Sequence, residues 1–183
     1  MTKTLLVLRH AKSDRGNNAL RDHDRPLAPR GETDAPRMGI ALATLDLLPD
    51  RVLTSTAVRA RETTRLVAAT RGYDGEIIEE PDIYAASVDT LLDVLRECDE
   101  EATVLLVGHN PGLEELIGLL TAGTRAEPMV RLPTAGLACV ALDIEQWSQL
   151  RPECGLLQWF LTPRIVYPLL HASRDLGRQE ETG

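Results

Sequence analysis

The 183-residue sequence predicts a three-layer α/β/α sandwich around a mostly parallel sheet. Short apolar runs alternate with stretches of helical periodicity along most of the chain, and polar residues follow several of these runs directly. Apolar runs that are short and uninterrupted are typical of strands buried on both faces of a parallel sheet. Ligands of such folds bind beyond the carboxyl ends of the strands, so the polar residues there are the first candidates for a functional site.

The amino-terminal elements are a strand, a loop and a helix. The apolar run at 5–8 predicts the first strand. The polar stretch at 11–30 has no sustained period and predicts a long loop, a feature that is often functional in compact domains. Apolar residues then recur at helical spacing over 31–48, which predicts a helix with Pro36 in its first turn.

A second group of elements follows the first helix. The run at 51–54 predicts a strand, and Ser55 is expected to cap the helix that comes next, with Arg59 in its first turn. A third strand is predicted at 76–78, and the leucine spacing at 88–95 predicts another helix.

The remaining elements complete the sheet. A buried strand is predicted at 103–107, followed by a helix with Asn110 as its cap and Pro111 at its first position. Two later strands are predicted at 137–142 and 156–161.

The length favours a single domain. With 43% hydrophobic residues, 183 positions suffice for one sizeable core at 1–171, while the polar residues 172–183 are expected to form a carboxyl-terminal tail. The formal net charge of -8 argues against nucleic acid or an anionic membrane as a partner, because both would repel the chain. No long apolar segment opens the sequence, so a cytoplasmic protein is expected.

The cysteines indicate neither a disulfide framework nor a zinc site. Cys98, Cys139 and Cys154 lie far apart and show no C-x-x-C spacing. No cluster of aspartate and histidine residues at metal-ligand spacing is found, so no metal and no cofactor are expected.

Two arginines and two histidines follow separate strands and suit a phosphoryl group. Arg9 and His10 come after the first strand, Arg59 after the second, and His109 after the buried strand at 103–107. Guanidinium groups grip phosphoryl oxygens bidentately. A neutral imidazole can attack phosphorus, so either histidine is a candidate nucleophile, while the other, if protonated, would stabilise the transferring group.

Several motifs resemble, in order and spacing, those of the histidine phosphatase superfamily, whose members have a phosphoglycerate mutase-like fold. The matching segments are RHAKS, DRPLAPRG, LTSTAVRARET, VGHNPG, LPTAGLA and LTPR. Their particular form is similar to the SixA-type phosphohistidine phosphatases. The resemblance implies that His10 is the nucleophile and that Arg9, Arg59 and His109 bind the phosphoryl group.

Other polar residues are candidates for contact with the substrate. Ser13, three residues after His10, has a hydroxyl that can donate to a phosphoryl oxygen, and Asn110 follows the second histidine directly. Arg21 and Arg25 in the predicted loop are further candidates for reaching it.

The general acid that this superfamily uses on phosphate esters has no clear counterpart. The resemblance places it at Tyr84 or Ala85, and the neighbouring carboxylates that could replace it are Glu79, Glu80 and Asp82. An imidazole leaving group, with a conjugate-acid pKa of about 6.5, tolerates the absence of such an acid.

A metal-independent phosphatase acting on phosphohistidine of another protein is therefore the expected function. Only 49 residues separate Arg59 from His109, which leaves little chain for a lid and predicts an open cleft. Two alternatives remain: a phosphatase of small phosphorylated metabolites from the same superfamily, and a catalytically weak module that binds phosphoproteins.

Overall fold

The computed structural model describes residues 3–16, 19–125 and 130–170, and it confirms the predicted α/β fold. The strands are β1 (Lys3–Arg9), β2 (Arg51–Ser55), β3 (Ile77–Glu80), β4 (Thr103–Gly108), β5 (Leu137–Leu142) and β6 (Gly155–Leu161). The helices are α1 (Pro29–Thr44), α2 (Val58–Arg71), α3 (Val88–Arg96) and α4 (Gly112–Ala122), and a further helical segment covers 163–170. The predicted tail at 172–183 lies outside the described residues.

The sheet is mostly parallel, with strand order β3-β2-β4-β1-β5-β6. The strands β3, β2, β4 and β1 are parallel, whereas β5 runs antiparallel to β1 and β6 antiparallel to β5. In the register of the sheet Val107 of β4 lies opposite both Leu8 of β1 and Thr54 of β2. The residues that follow β1, β2 and β4 therefore leave the sheet side by side at one edge.

Helices cover both faces of the sheet, as a three-layer sandwich requires. Leu5 and Val7 of β1 belong to a buried cluster that includes the apolar faces of α3 and α4. Leu6 and Leu8 belong to a second cluster, formed with α1, α2 and Val166 of the segment at 163–170. Because alternate residues of β1 are buried on opposite sides, this strand occurs as the continuous apolar run seen in the sequence.

The position of Pro36 differs from the prediction. Helix α1 begins at Pro29 and ends at Thr44, so Pro36 lies inside the helix and not in its first turn. Pro29 occupies the start, where the missing N–H has no helical partner to lose. Pro36 has no N–H to donate to the carbonyl of Glu32, an exposed residue, and the helix continues through this proline.

The two predicted caps are also wrong. The residue preceding α2 is Ala57, and the residue preceding α4 is Pro111; neither Ser55 nor Asn110 caps a helix. Ser55 is instead the last residue of β2, and the Asn110 side chain donates to the carbonyl of Leu132. Each turn between strand and helix is longer than predicted, which places these polar side chains at the sheet edge.

Two further findings for the described residues concern membrane-spanning helices and the cysteines. None of their helices is long and apolar enough to cross a membrane. Cys98, Cys139 and Cys154 are free thiols and are buried.

Candidate active site

A cleft of about 170 Å³ lies at the edge where β1, β2 and β4 end. Six residues predicted for phosphoryl transfer or substrate contact line this cleft: Arg9, His10, Arg59, His109, Ser13 and Asn110. The register of the parallel strands explains this convergence, because it brings residues that are about 50 positions apart in the chain to one level.

The imidazole of His10 is buried and holds its proton on one defined nitrogen. Its Nδ1 lies 2.7 Å from the carbonyl oxygen of Ala11, which can only accept, so Nδ1 carries the hydrogen. The other nitrogen, Nε2, therefore has a lone pair, and Nε of Arg59 donates to it at 3.3 Å. Burial lowers the pKa of His10 to about 4, opposed by the Ala11 carbonyl and reinforced by the Arg59 charge. His10 is thus neutral at neutral pH.

His109 is the second buried imidazole, with its ring centre 5.0 Å from that of His10. Its Nδ1 accepts from Nη2 of Arg59 at 3.3 Å, so its Nε2 carries the hydrogen and donates to Oγ of Ser55 at 2.8 Å. Burial, followed by the proximity of His10 and Arg59, lowers the pKa of His109 to about 3. In this arrangement His109 is a neutral hydrogen-bonding group and carries no positive charge.

The guanidinium of Arg59 is buried and donates hydrogen bonds along two of its edges. Along one edge Nε and Nη2 donate to His10 and His109, each at 3.3 Å. At its end Nη1 donates to the backbone carbonyl of Asp22, and Nη2 donates to the Asp22 carboxylate at 2.9 Å. Helix α2 provides Arg59 close to its start, in agreement with the predicted position in the first turn.

Arg9 is fixed through Leu132, a residue of the LPTAGLA motif. Nη1 of Arg9 donates to the carbonyl of Leu132 at 2.8 Å, and Nδ2 of Asn110 donates to the same oxygen at 2.9 Å. The amide of Leu132 donates to the buried Glu114 carboxylate at 2.7 Å. Among the described residues, Nε of Arg9 has no hydrogen-bond partner although it is buried.

Thr63 is a site residue that the sequence analysis missed. Its hydroxyl accepts from the amide of Ala11 at 2.9 Å and donates to the carbonyl of Arg59 at 2.7 Å. Thr63 thus ties the turn after His10 to α2. Its spacing of four residues from Arg59, in the RARET motif, is a sequence signal that puts both side chains on one face of the predicted helix.

The three carboxylates considered as a general acid lie away from the cleft. Glu79 pairs with Arg61 at 3.3 Å and lies 3.9 Å from Arg65. Glu80 accepts from the amide of Asp82, and both residues line a different pocket beside α3. They are separated from the cleft because β3 is the outer strand, beyond β2.

Among the described residues, the carboxylate that lines the cleft is Asp22, from a 3₁₀ turn in the predicted loop. The hydroxyl of Tyr84 donates to its Oδ2 at 3.0 Å, and the Tyr84 ring stands edge-on to His109. Burial raises the pKa of Asp22, but the hydrogen bond from Tyr84 and the charge of Arg59 outweigh it, and the net shift is downward. Asp22 is therefore ionised at neutral pH.

Cations surround the mouth of the cleft. Lys12 and Arg15 are exposed residues that line it, and Arg25 lines it with Nη1 3.2 Å from Asp22. Arg21, the other arginine considered, pairs with Asp24 and does not line the cleft. A locally basic cleft in a chain of net charge -8 is suited to an anionic substrate.

Comparisons with known proteins identify the relatives of this chain. The family model of the histidine phosphatase superfamily (branch 1) matches residues 5–86. The uncharacterised protein Rv1276c of Mycobacterium tuberculosis is 36% identical over 164 residues, which cover 86% of this chain and 100% of that protein.

Solved structures share the fold. A chain from Agrobacterium tumefaciens that bears the name phosphohistidine phosphatase SixA is 29% identical, covers 89% of this chain and 99% of its own, and superposes with a TM-score of 0.75. A chain from Escherichia coli that bears the name alpha-ribazole-5'-P phosphatase is 17% identical, covers 89% of this chain and 98% of its own, and has a TM-score of 0.67. The latter likeness concerns the fold alone.

Proposed function

Because this chain belongs to the histidine phosphatase superfamily and is a phosphatase, we propose that it hydrolyses phosphohistidine on a protein through an intermediate on His10. The observation that carries the proposal is the hydrogen bond from Nδ1 of His10 to the Ala11 carbonyl. This bond leaves the lone pair on Nε2, next to Arg59, in a cleft lined by cations. An unprotonated, oriented imidazole is the form that attacks phosphorus.

In the first half of the proposed reaction, Nε2 of His10 forms a bond to phosphorus. The phosphorus–nitrogen bond of the substrate breaks, its electron pair goes to the leaving imidazole, and that ring takes a proton from solvent. The His10 ring becomes positively charged, and the Ala11 carbonyl stabilises it by accepting from Nδ1. Arg9 and Arg59 donate to the phosphoryl oxygens, whose charge is greatest during transfer.

In the second half, water attacks the phosphorus of the intermediate. The bond to Nε2 breaks, its electrons return to the ring, the water releases a proton to solvent, and inorganic phosphate leaves. His10 returns to the neutral form with its proton on Nδ1. The two displacements replace one difficult direct attack by water.

The preference for phosphohistidine is supported by the acids of the site. Asp22 is the one carboxylate among the described residues lining the cleft, and its lowered pKa makes it a poor proton donor to an alkoxide. An imidazole, with a conjugate-acid pKa of about 6.5, leaves without a dedicated acid. The similarity to a chain that bears the SixA name supports the same substrate class.

The test compares two phosphoryl donors. Phosphate release is measured from a phosphohistidine protein and from a generic phosphomonoester, with wild type, His10→Ala and the control Arg21→Ala, which changes an exposed residue outside the cleft. The proposal predicts faster turnover of the phosphohistidine, no turnover by His10→Ala, and turnover of both donors by the control.

Three outcomes would contradict the proposal in different ways. Faster turnover of the ester would indicate a phosphatase of small metabolites, and no turnover of either donor would indicate a phosphoprotein-binding module. Normal turnover by His10→Ala would exclude His10 as the nucleophile.

A further inference from the structure

We propose that Asp22 is a positioning residue that holds the Arg59 guanidinium in the orientation needed for phosphoryl transfer. The inference rests on the proposed transfer at His10 and adds a role for the 3₁₀ turn at Asp22–Asp24. None of the motifs found in the sequence assigns a role to this turn.

The two edges of the Arg59 guanidinium have different partners. Nε and Nη2 form one edge and donate to the ring nitrogens of His10 and His109. Nη1 and Nη2 form the end of the group, and both donate to Asp22, one to its backbone carbonyl and one to its carboxylate. Five N–H groups in a rigid plane allow this division.

The two sets of Arg59 hydrogen bonds have different fates when a phosphoryl group enters between the histidines. The hydrogen bonds from Arg59 to the two imidazoles can then be exchanged for bonds to phosphoryl oxygens, while those to Asp22 persist. The guanidinium need not turn, so little reorganisation is required at the moment of transfer. Arg59 releases the lone pair of His10 in the same exchange, which frees Nε2 for attack.

Asp22 is itself held in place from three directions. The Tyr84 hydroxyl donates to Oδ2, Arg59 donates to the same oxygen, and Arg25 lies 3.2 Å from Oδ1. The Tyr84 ring in turn packs edge-on against His109, with 5.4 Å between ring centres. Both carboxylate oxygens therefore have cationic or hydroxyl partners, an arrangement that suits a fixed anchor better than a group that moves protons.

The proposed role has an unusual kinetic signature. A carboxylate in the wall of an anion site repels the substrate, so its neutralisation should tighten anion binding. The same change weakens the hold on Arg59 and should slow transfer. Neutralisation of Asp22 should therefore lower kcat while the affinity for the anion is kept or increased. A defect in folding would lower both.

The experiment uses Asp22→Asn with Asp24→Asn as the matched control. Asp24 lies in the same turn but pairs with Arg21 and His23 and does not line the cleft. For Asp22→Asn, kcat should fall by roughly tenfold or more, while KM and the dissociation constant of the phosphate analogue tungstate stay equal or decrease. Asp22→Glu should recover part of kcat, and Asp24→Asn should match the wild type.

Two results would overturn the inference. The first is a kcat of Asp22→Asn equal to that of the wild type, and the second is a joint loss of kcat, tungstate affinity and thermal stability. The measurement uses whichever phosphoryl donor the wild type turns over faster. A preference for the ester would therefore contradict the proposed substrate alone, and an unchanged kcat in Asp22→Asn would contradict the positioning role alone.

A spectroscopic readout is independent of turnover. In ¹⁵N-arginine spectra the wild type should show separate Nη signals for Arg59, because the bonds to Asp22 restrict rotation of the group. These signals are assigned by their loss in Arg59→Lys. Exchange between them should be faster in Asp22→Asn than in the wild type, because the charged bond from Nη2 is weakened while the bond to the backbone carbonyl persists, and it should be unchanged in Asp24→Asn. Averaged signals in the wild type would contradict the proposed anchoring.

Discussion

The buried neutral histidines should make the stability of the fold depend on pH. The pKa values are about 4 for His10 and about 3 for His109 in the folded chain, against about 6.5 for histidine in an unfolded chain. Between these values the unfolded chain binds protons that the folded chain does not. The free energy of unfolding is therefore highest above about pH 6.5 and falls as the pH falls toward about 4.

The magnitude follows from the same values. For His10 alone, the difference between 6.5 and about 4 corresponds to roughly 3 kcal/mol of unfolding free energy. At about pH 5 the two histidines together should make the free energy of unfolding change by roughly 2.5 kcal/mol per pH unit. Removal of His10 should halve this slope. The lowered pKa of Asp22 acts in the same direction, but only below the unfolded carboxyl value of about 4.

Urea unfolding between about pH 5 and pH 6.5 measures this slope directly. The perturbation is His10→Asn, since the asparagine amide can still donate to the Ala11 carbonyl but does not titrate. Lys12→Gln, a change at an exposed position of the same cleft, is the control and should keep the wild-type slope. A wild type whose stability is flat over this range, or an equal slope in His10→Asn, would contradict the burial of His10 as a neutral group.

Further predictions concern the support of the site. Ser55→Ala removes the acceptor of the His109 N–H, which should lower kcat/KM by about fivefold, or ~1 kcal/mol, in steady-state assays; unchanged kinetics would contradict this role. Gly31→Ala would place a Cβ 2.2 Å from the backbone oxygen of Lys12, and should reduce the free energy of unfolding by about 2 kcal/mol or more. The control Gly16→Ala, whose nearest neighbour is the end of a side chain at 3.2 Å, should change it by less than about 0.5 kcal/mol. The buried thiols should resist a thiol reagent until urea is added, because burial raises the pKa of two of them to about 11; rapid labelling of the native protein would contradict this.

Much of the fold was predictable because β1 and β4 are buried on both faces. Continuous apolar runs such as 5–8 and 104–107 are typical of strands covered on both sides, so they indicate the parallel centre of the sheet. The polar residues that end these runs then share one edge, which is why Arg9, His10 and His109 were found together.

Asp22 could not have been found in this way. It lies in the predicted loop at 11–30, where no period distinguishes it from Asp14 or Asp24. Its contact with Arg59 spans 37 positions and depends on the path of the loop. Long-range backbone bonds set that path, among them the bond from the Ala28 amide to the Lys12 carbonyl.

The wrong caps have a related cause. Capping preferences depend only on the residue type next to a predicted helix. By this criterion Ser55 and Asn110 are both good amino-terminal caps. The oxygen of Ser55 accepts from the Ala57 amide, just before α2, and from His109, a partner 54 positions away, while the Asn110 amide donates to Leu132. Polar residues at a functional site are thus the ones for which local rules fail, because long-range partners compete for the same atoms.

The most direct test of the account is rapid-quench detection of the phosphorylated enzyme during turnover of a labelled phosphohistidine protein. We expect a transient phosphoenzyme that is labile in acid and stable in alkali, carries its label on His10, and is absent in His10→Asn. Turnover without such a species, or a label on another residue, would contradict it.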